Sequence, residues 1–272
     1  QVNMEAQLEH WRYSIASLRS AIRSGTVRGL TEKSSLSSPR SVERLRRHDT
    51  LTSSNKGRSN LTAVDTSGRK LRYNSPISRQ DPLVNDWRKR ISGSHTPPSH
   101  QEQLLILLPC SATKPYRLSQ SHHRFLRNIP SNRAHQIMVT SPLGLVPREL
   151  EDLWPAAHYD IPVTGDWDAD ELEMVSSMLS KICERANYRE IINHSGMDIS
   201  IDGIECYNTR RGTAGSKESL KELKSCILDS IDRMNLGDKS EKQHRMEVMK
   251  SRSRFMHGTD SWLEGSTVSG RL

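Results

Sequence analysis

The sequence predicts an α/β domain with a mostly parallel sheet flanked by helices, preceded by a long low-complexity arm and followed by a frayed tail. Three observations carry that expectation. Short runs at 104–108 (LLILL), 135–142 (HQIMVTSP) and 188–193 (YREIIN) have the length and apolar continuity of strands covered on both faces. Segments of helical spacing separate them, and strands alternating with helices define the parallel α/β class. Each run ends in turn and polar residues, and open parallel sheets bind ligands at those ends.

Composition sets the scale. Only 33% of the 272 residues are hydrophobic, which fits a core smaller than the chain plus polar segments that bury little. The net charge of +8 is unevenly placed: residues 1–100 carry 18 basic and 8 acidic side chains, residues 101–272 carry 22 and 24. A basic N-terminal part is the pattern of an arm that contacts phosphates, or of a solvated tail. Cys110, Cys183, Cys206 and Cys226 form no CxxC pair and no zinc spacing, so no metal site is expected, and so few thiols suit a reducing cytoplasm. No apolar stretch reaches the length of a membrane span, and no signal-peptide pattern opens the chain. No cofactor motif is present.

Taken in order, residues 4–23 place Leu8, Trp11, Ile15, Leu18 and Ile22 at helical spacing. Residues 24–80 are rich in Ser, Arg, Thr and Asn and read as a linker, so 1–80 is expected to be a largely disordered basic arm with one helix. The core is expected over 81–236. It begins with a short helix at 81–91, stopped by the loop that contains Pro97 and Pro98. After the strand at 104–108, a short helix is expected from Ser119 to Arg127, then the strand at 135–142. Asp168, with Glu171 three residues on, is a capping box for a helix whose buried stripe is Leu172, Val175, Leu179 and Ile182. Strands follow at 188–193 and within 199–208. Ser216 then opens a helix bearing Leu220, Leu223, Ile227, Ile231 and Met234. Residues 237–272 are charged, lack an apolar period and are expected to fray.

Three strand ends carry candidate chemistry: Pro109 to His122, Ser141-Pro142-Leu143-Gly144, and His194 to Gly196. If their strands are neighbours, the loops share one crevice. Cys110 is a candidate nucleophile, with Lys114 and His122 near enough in sequence to lower its pKa; an inert buried cysteine is the plainer alternative. Lys114 can hold an anion or sit solvated. Pro115 fixes the loop's shape. Tyr116 can stack, donate a proton or pack. Ser119 is a candidate catalytic hydroxyl, with a helix cap the plainer reading, and His122, one turn on, a candidate acid or base. Asp160 and Asp166 flank an irregular segment and can hold an amine or form turns. His194 can line the crevice.

The loop has the pattern Pro-Cys-x3-Lys-Pro-Tyr-x2-Ser-x2-His, filled here by Pro109, Cys110, Lys114, Pro115, Tyr116, Ser119 and His122. This resembles the signature of archaeosine synthase, the archaeal tRNA-modifying relative of tRNA-guanine transglycosylase. The segments SPLGLVPRELE and YDIPVTGDWD also look like that family's core, so the resemblance covers residues 81–236. It implies a tRNA substrate bearing 7-cyano-7-deazaguanine in the D-loop, addition of an amine such as lysine across the nitrile, and an amidine product. A radical-SAM lyase partner then releases archaeosine. Full-length members add a transglycosylase-like domain in front and an RNA-binding PUA domain behind; neither is visible here, so the chain looks like a split or shortened member that relies on a partner subunit.

On this reading Cys110 adds to the nitrile carbon, His122 with Tyr116 delivers the proton, and Asp160 or Asp166 holds the amine. Pro109, Pro115, Ser141, Pro142, Gly144 and His194 shape the substrate pocket. Two alternatives remain open on the sequence: a non-catalytic RNA-binding module or subunit of a split enzyme, and a cysteine hydrolase of small amides.

Overall fold

The structure, a computed structural model, describes residues 3–53, 70–73, 75–161 and 165–257. Its centre is a five-stranded sheet in the order β4-β3-β2-β6-β7, with β2 (Leu104–Pro109) in the middle. On one side β2 pairs in parallel with β3 (Ala134–Thr140), which pairs antiparallel with β4 (Gly144–Pro147). On the other, β2 pairs in parallel with β6 (Glu190–Asn193), which pairs in parallel with β7 (Glu205–Asn208). Leu104 to Leu108 are all fully buried, as a strand covered on both faces requires. The fold is therefore α/β with a mostly parallel sheet, as the alternating pattern predicts. A separate parallel pair, β1 (Leu71–Arg72) and β5 (Tyr159–Asp160), lies outside the main sheet.

The helices form where their caps and stripes predict. Asp81 caps α4 (Pro82–Gly93) through the Leu83 N–H, and Val84, Trp87 and Ile91 enter the core. Ser119 caps α5 (Gln120–Arg127). Asp168 and Glu171 close a complete capping box on α6 (Ala169–Arg185), which buries Val175, Leu179 and Ile182. Leu172 remains exposed, on the edge of that stripe. Ser216 caps α7 (Lys217–Met234), and Asn235 ends it in the left-handed conformation at φ 52°.

Two segments differ from the sequence reading. Within the expected linker lie α2 (Val27–Ser35) and α3 (Pro39–Ser53), after the expected α1 (Met4–Ser24). They are held by a buried charge cluster: the Arg28 guanidinium meets Glu32 at 2.7 Å, Asp49 at 2.5 Å and Asp81 at 3.8 Å. An apolar period cannot report helices fastened by ion pairs. The apolar stripe of α1 has no cover, with Leu8, Trp11 and Ile22 all more than half exposed. The second difference is α8 (Glu241–His257), where fraying was expected. It docks with few residues: Phe255 packs edge-on to Trp87, and Ser251 is buried. The parts of the expected arm and tail at 54–69 and beyond 257 lie outside the described residues. No helix among the described residues is long and apolar enough to cross a membrane.

Candidate active site

Because β3, β2 and β6 are adjacent and parallel, their carboxyl ends open on one side. β2 runs to β3 on one flank and pairs with β6 on the other, which makes its carboxyl end a switch point where open sheets bind ligands. A cleft of about 510 Å³ lies there. Pro109 and Cys110 at the end of β2, Ser141 and Pro142 just after β3, and Ser195 and Gly196 just after β6 all line it. The three loops singled out in the sequence thus converge.

Cys110 is partly buried on the cleft wall and is a free thiol. Burial pushes its pKa up, while the Lys114 ammonium and the Thr140 hydroxyl favour the thiolate. Lys114 is pushed the other way: burial lowers its pKa, and Cys110 and Asp160 hold the charge on it. Its Nζ finds no hydrogen-bond partner among the described residues and lies 4.2 Å from the centre of the Tyr159 ring, a cation–π contact. Of the groups that favour its charge, the Cys110 sulfur comes first and the Asp160 carboxylate second. Beneath it runs a line of hydroxyls, Tyr116 to Tyr159 at 2.5 Å and Tyr159 to Thr140 at 2.6 Å. Burial raises both phenols, so they stay protonated and able to donate.

His122 does not take the place expected of it. Its ring is fully buried beneath the end of β2. Arg148 Nη2 lies 2.9 Å from Nδ1, and a guanidinium can only donate, so Nδ1 accepts. The proton then sits on Nε2 and is donated to the Pro109 carbonyl at 3.1 Å. Burial first, and Arg148 second, lower its pKa to about 3. His122 is a neutral brace that sets the angle of the strand end, not a proton donor aimed at the cleft. Ser119 likewise caps α5 through the His122 N–H, and its neighbour Ser121 is the one that reaches the cleft.

His194 is also corrected. It is buried, with Nδ1 2.8 Å from Thr209 Oγ1 and Nε2 2.8 Å from the Ala214 carbonyl, so it ties the loop after β7 to β6. Gly144 opens β4 at φ 79° against Met174 and Met178, a turn requirement away from the cleft. Asp160 is exposed at the end of β5 and acts on Lys114 through charge alone, whereas Asp166 lines the cleft. Pro115 and Tyr116 support the loop from behind.

Several cleft residues were not singled out by sequence. Arg79 approaches from the segment before α4, paired with Asp168 at 2.5 Å and Glu171 at 3.3 Å. Arg210, just past β7, donates to the Ser195 carbonyl at 2.9 Å and lies across Gly196, whose φ is 88°. Trp167 and Tyr73 supply aromatic surface, and the Tyr73 hydroxyl, though buried, has no hydrogen-bond partner among the described residues. Arg210 had a signal available, since it too follows a strand end; Arg79 and Tyr73 are brought in by non-local packing and had none.

Fold and cleft together define an α/β domain with a cysteine-bearing crevice at the carboxyl edge of its sheet. The family described as a domain of unknown function, DUF5591, matches residues 84–227, and the chain belongs to that family; it is also similar to several archaeosine synthases. It is 30% identical over 261 residues to the archaeosine synthase of Methanocaldococcus jannaschii, covering 89% of this chain and 41% of that protein. The archaeosine synthase subunit alpha of Methanosarcina acetivorans is 37% identical over 174 residues, covering 56% and 28%. That of Thermoplasma acidophilum is 37% identical over 177 residues, covering 64% and 33%. The chain thus spans less than half the length of each of these relatives.

Proposed function

We propose that this domain works in archaeosine biosynthesis on tRNA, adding a primary amine, lysine, across the nitrile of 7-cyano-7-deazaguanine in the D-loop to give an amidine. The observation that carries the reading is the Cys110 sulfur on the wall of a cleft, beside a buried ammonium with no hydrogen-bond partner among the described residues. A nitrile carbon is electrophilic but sluggish, and covalent capture divides its aminolysis into two easier steps. Cys110 sulfur bonds to the nitrile carbon, and a proton passes to the nitrile nitrogen, giving a thioimidate. The lysine amine then bonds to the same carbon, the C–S bond breaks, and the amine's proton returns to sulfur. Thiol is regenerated and no oxidant or reductant is needed.

The hydroxyl line ending at Thr140 suits the proton transfers better than His122, whose nitrogens are both engaged. Asp166 and Glu171 are carboxylates on the cleft wall that suit an incoming ammonium group. Trp167 and Tyr73 offer ring faces for a flat base, and Arg79 and Arg210 offer cations for the RNA backbone. We assign tRNA grip to a transglycosylase-like or PUA-containing partner as well as to this chain, and release of archaeosine to a radical-SAM lyase, all in the cytoplasm.

The test is mass spectrometry of tRNA bearing the nitrile base, incubated with the protein and lysine, with and without candidate partner subunits. A gain of one lysine mass on the modified base is expected. No gain under any of these conditions, with tRNA binding intact, would replace this reading with that of a non-catalytic RNA-binding subunit.

A further inference from the structure

At the end of the sheet opposite the cleft, β3 begins with Ala134 and His135. His135 is fully buried, and its Nε2 stands 3.2 Å from both carboxylate oxygens of Glu149. His95, from the loop after α4, is buried as well, with Nε2 3.3 Å from Glu149 Oε1. Yet neither ring nitrogen of His95 makes a hydrogen bond among the described residues. Ser251 of α8 brings its Oγ to 3.4 Å from the same oxygen while giving its proton to the Thr96 carbonyl at 2.7 Å, so the lone pairs of Oγ remain for another group. The His95, His135 and Glu149 donor atoms all lie within 4.8 Å of one another.

Two features distinguish this from a hydrogen-bonded core cluster. Spacings of 3.2 to 3.4 Å are at or beyond the long limit for a charged hydrogen bond. They match the edge of a tetrahedron around an ion bonded at ~2.0–2.1 Å, which is about 3.3 Å. The surroundings are also those of a metal ligand: the Tyr188 hydroxyl, 2.5 Å from His135 Nδ1, fixes the ring so that Nε2 faces Glu149. A fully buried imidazole with two unmet nitrogens is costly unless something binds it.

We propose that His95, His135 and Glu149 bind one divalent cation of the zinc type, with the Ser251 hydroxyl at the fourth corner. Imidazole and carboxylate donors suit such an ion, and complete burial makes the site structural rather than catalytic. It staples α8 to β3 and to the loop that carries His95 and Thr96. That helix otherwise holds on through the Arg252–Asp152 pair at 2.6 Å, Phe255, the bond from Arg90 to the Phe255 carbonyl and a few polar contacts at its amino end.

The experiment uses the full chain purified without tag or chelator. Elemental analysis is expected to find about one zinc per chain, bound tightly enough to survive dialysis. After treatment with a chelator, added Zn2+ should raise Tm by about 5 °C or more, and added Co2+ should give the visible absorption of a tetrahedral N/O site. His95→Gln should abolish the cobalt spectrum. Should that variant fail to fold, the cobalt titration of the unaltered chain decides alone. Metal below about 0.1 per chain, with neither Zn2+ nor Co2+ changing Tm or absorption, would overturn the site and leave the cluster as a hydrogen-bonded knot. None of these readouts depends on tRNA modification, so the outcome is independent of the function proposed above.

Discussion

The two ends of β3 make the most instructive comparison in the molecule. His135 near its start and Thr140 at its end are both completely buried polar residues in one seven-residue strand. At the amino end, Glu149, His95, Tyr188 and Ser251 close round His135 and leave no opening. At the carboxyl end, Thr140 joins two tyrosines behind a cysteine that faces a cleft. Buried polarity alone therefore does not mark a place of reaction. What separates the two ends is access. The amino end is lidded by α8, whereas parallel strands leave their carboxyl ends to loops, and here the loops stand apart.

Breaking the cleft without touching the lid should produce the largest effect. Cys110→Ser is expected to cut amidine formation roughly a thousandfold or more, because a neutral hydroxyl is a far weaker nucleophile than a thiolate. Thermal unfolding should be nearly unchanged, since the replacement is close in size. Turnover at the original rate would remove the covalent step. Next in size is Lys114→Met. It removes a cation that favours the Cys110 thiolate against its burial. Iodoacetamide labelling of Cys110 at pH 8 should slow by about tenfold, with the labelling curve displaced to higher pH. An unaltered labelling curve would show that the two groups do not sense each other.

The same contrast explains what the sequence made legible. Strands β2, β3 and β6 were readable because unbroken apolar runs admit few other structures, and α4 to α7 because caps and stripes coincide. The helices α2, α3 and α8 were not, since a charge cluster around Arg28 and a few anchors such as Ser251 and Phe255 leave no period. The strand β4 is short and ends in Pro147, so it reads as loop. In the site, the strand-end rule found Pro109, Cys110, Ser141 and Pro142, and the irregular segment supplied Asp166, all on the cleft wall. It misjudged His122 and His194, because spacing tells how near two residues are but not which carbonyl lies under a ring. The amino-end cluster had no signal at all: its members come from 95, 135, 149 and 251, and only the fold unites them.

A pH experiment sharpens the comparison further. His122 has a folded pKa of about 3, below its unfolded value of roughly 6.5. As pH falls below about 6.5 the unfolded chain takes up the proton first. The stability that the neutral ring contributes is complete above that point and is lost as pH falls towards about 3, at a limiting slope of about 1.4 kcal/mol per pH unit. His122→Gln keeps a polar side chain but cannot titrate. The variant is expected to be less stable at pH 7 and to lose less stability between pH 7 and pH 5, as measured by urea unfolding at each pH. An unchanged slope would show that folding does not lower the pKa of the ring.

The smallest predicted effect tests the rim of the cleft. Gly196 sits at φ 88°, where an L side chain is strained, and the Arg210 guanidinium occupies the space a Cβ would need. Gly196→Ala should therefore cost about 1 kcal/mol of stability and push Arg210 off the Ser195 carbonyl. If Arg210 positions RNA backbone at the cleft mouth, KM for tRNA should rise by about fivefold while kcat changes little, and the salt dependence of binding should weaken. Arg210→Gln should reproduce the KM change without the loss of stability. Should Gly196→Ala raise KM and Arg210→Gln leave it untouched, the glycine is serving the turn alone, and the cation that meets the RNA must be sought on the other wall, at Arg79.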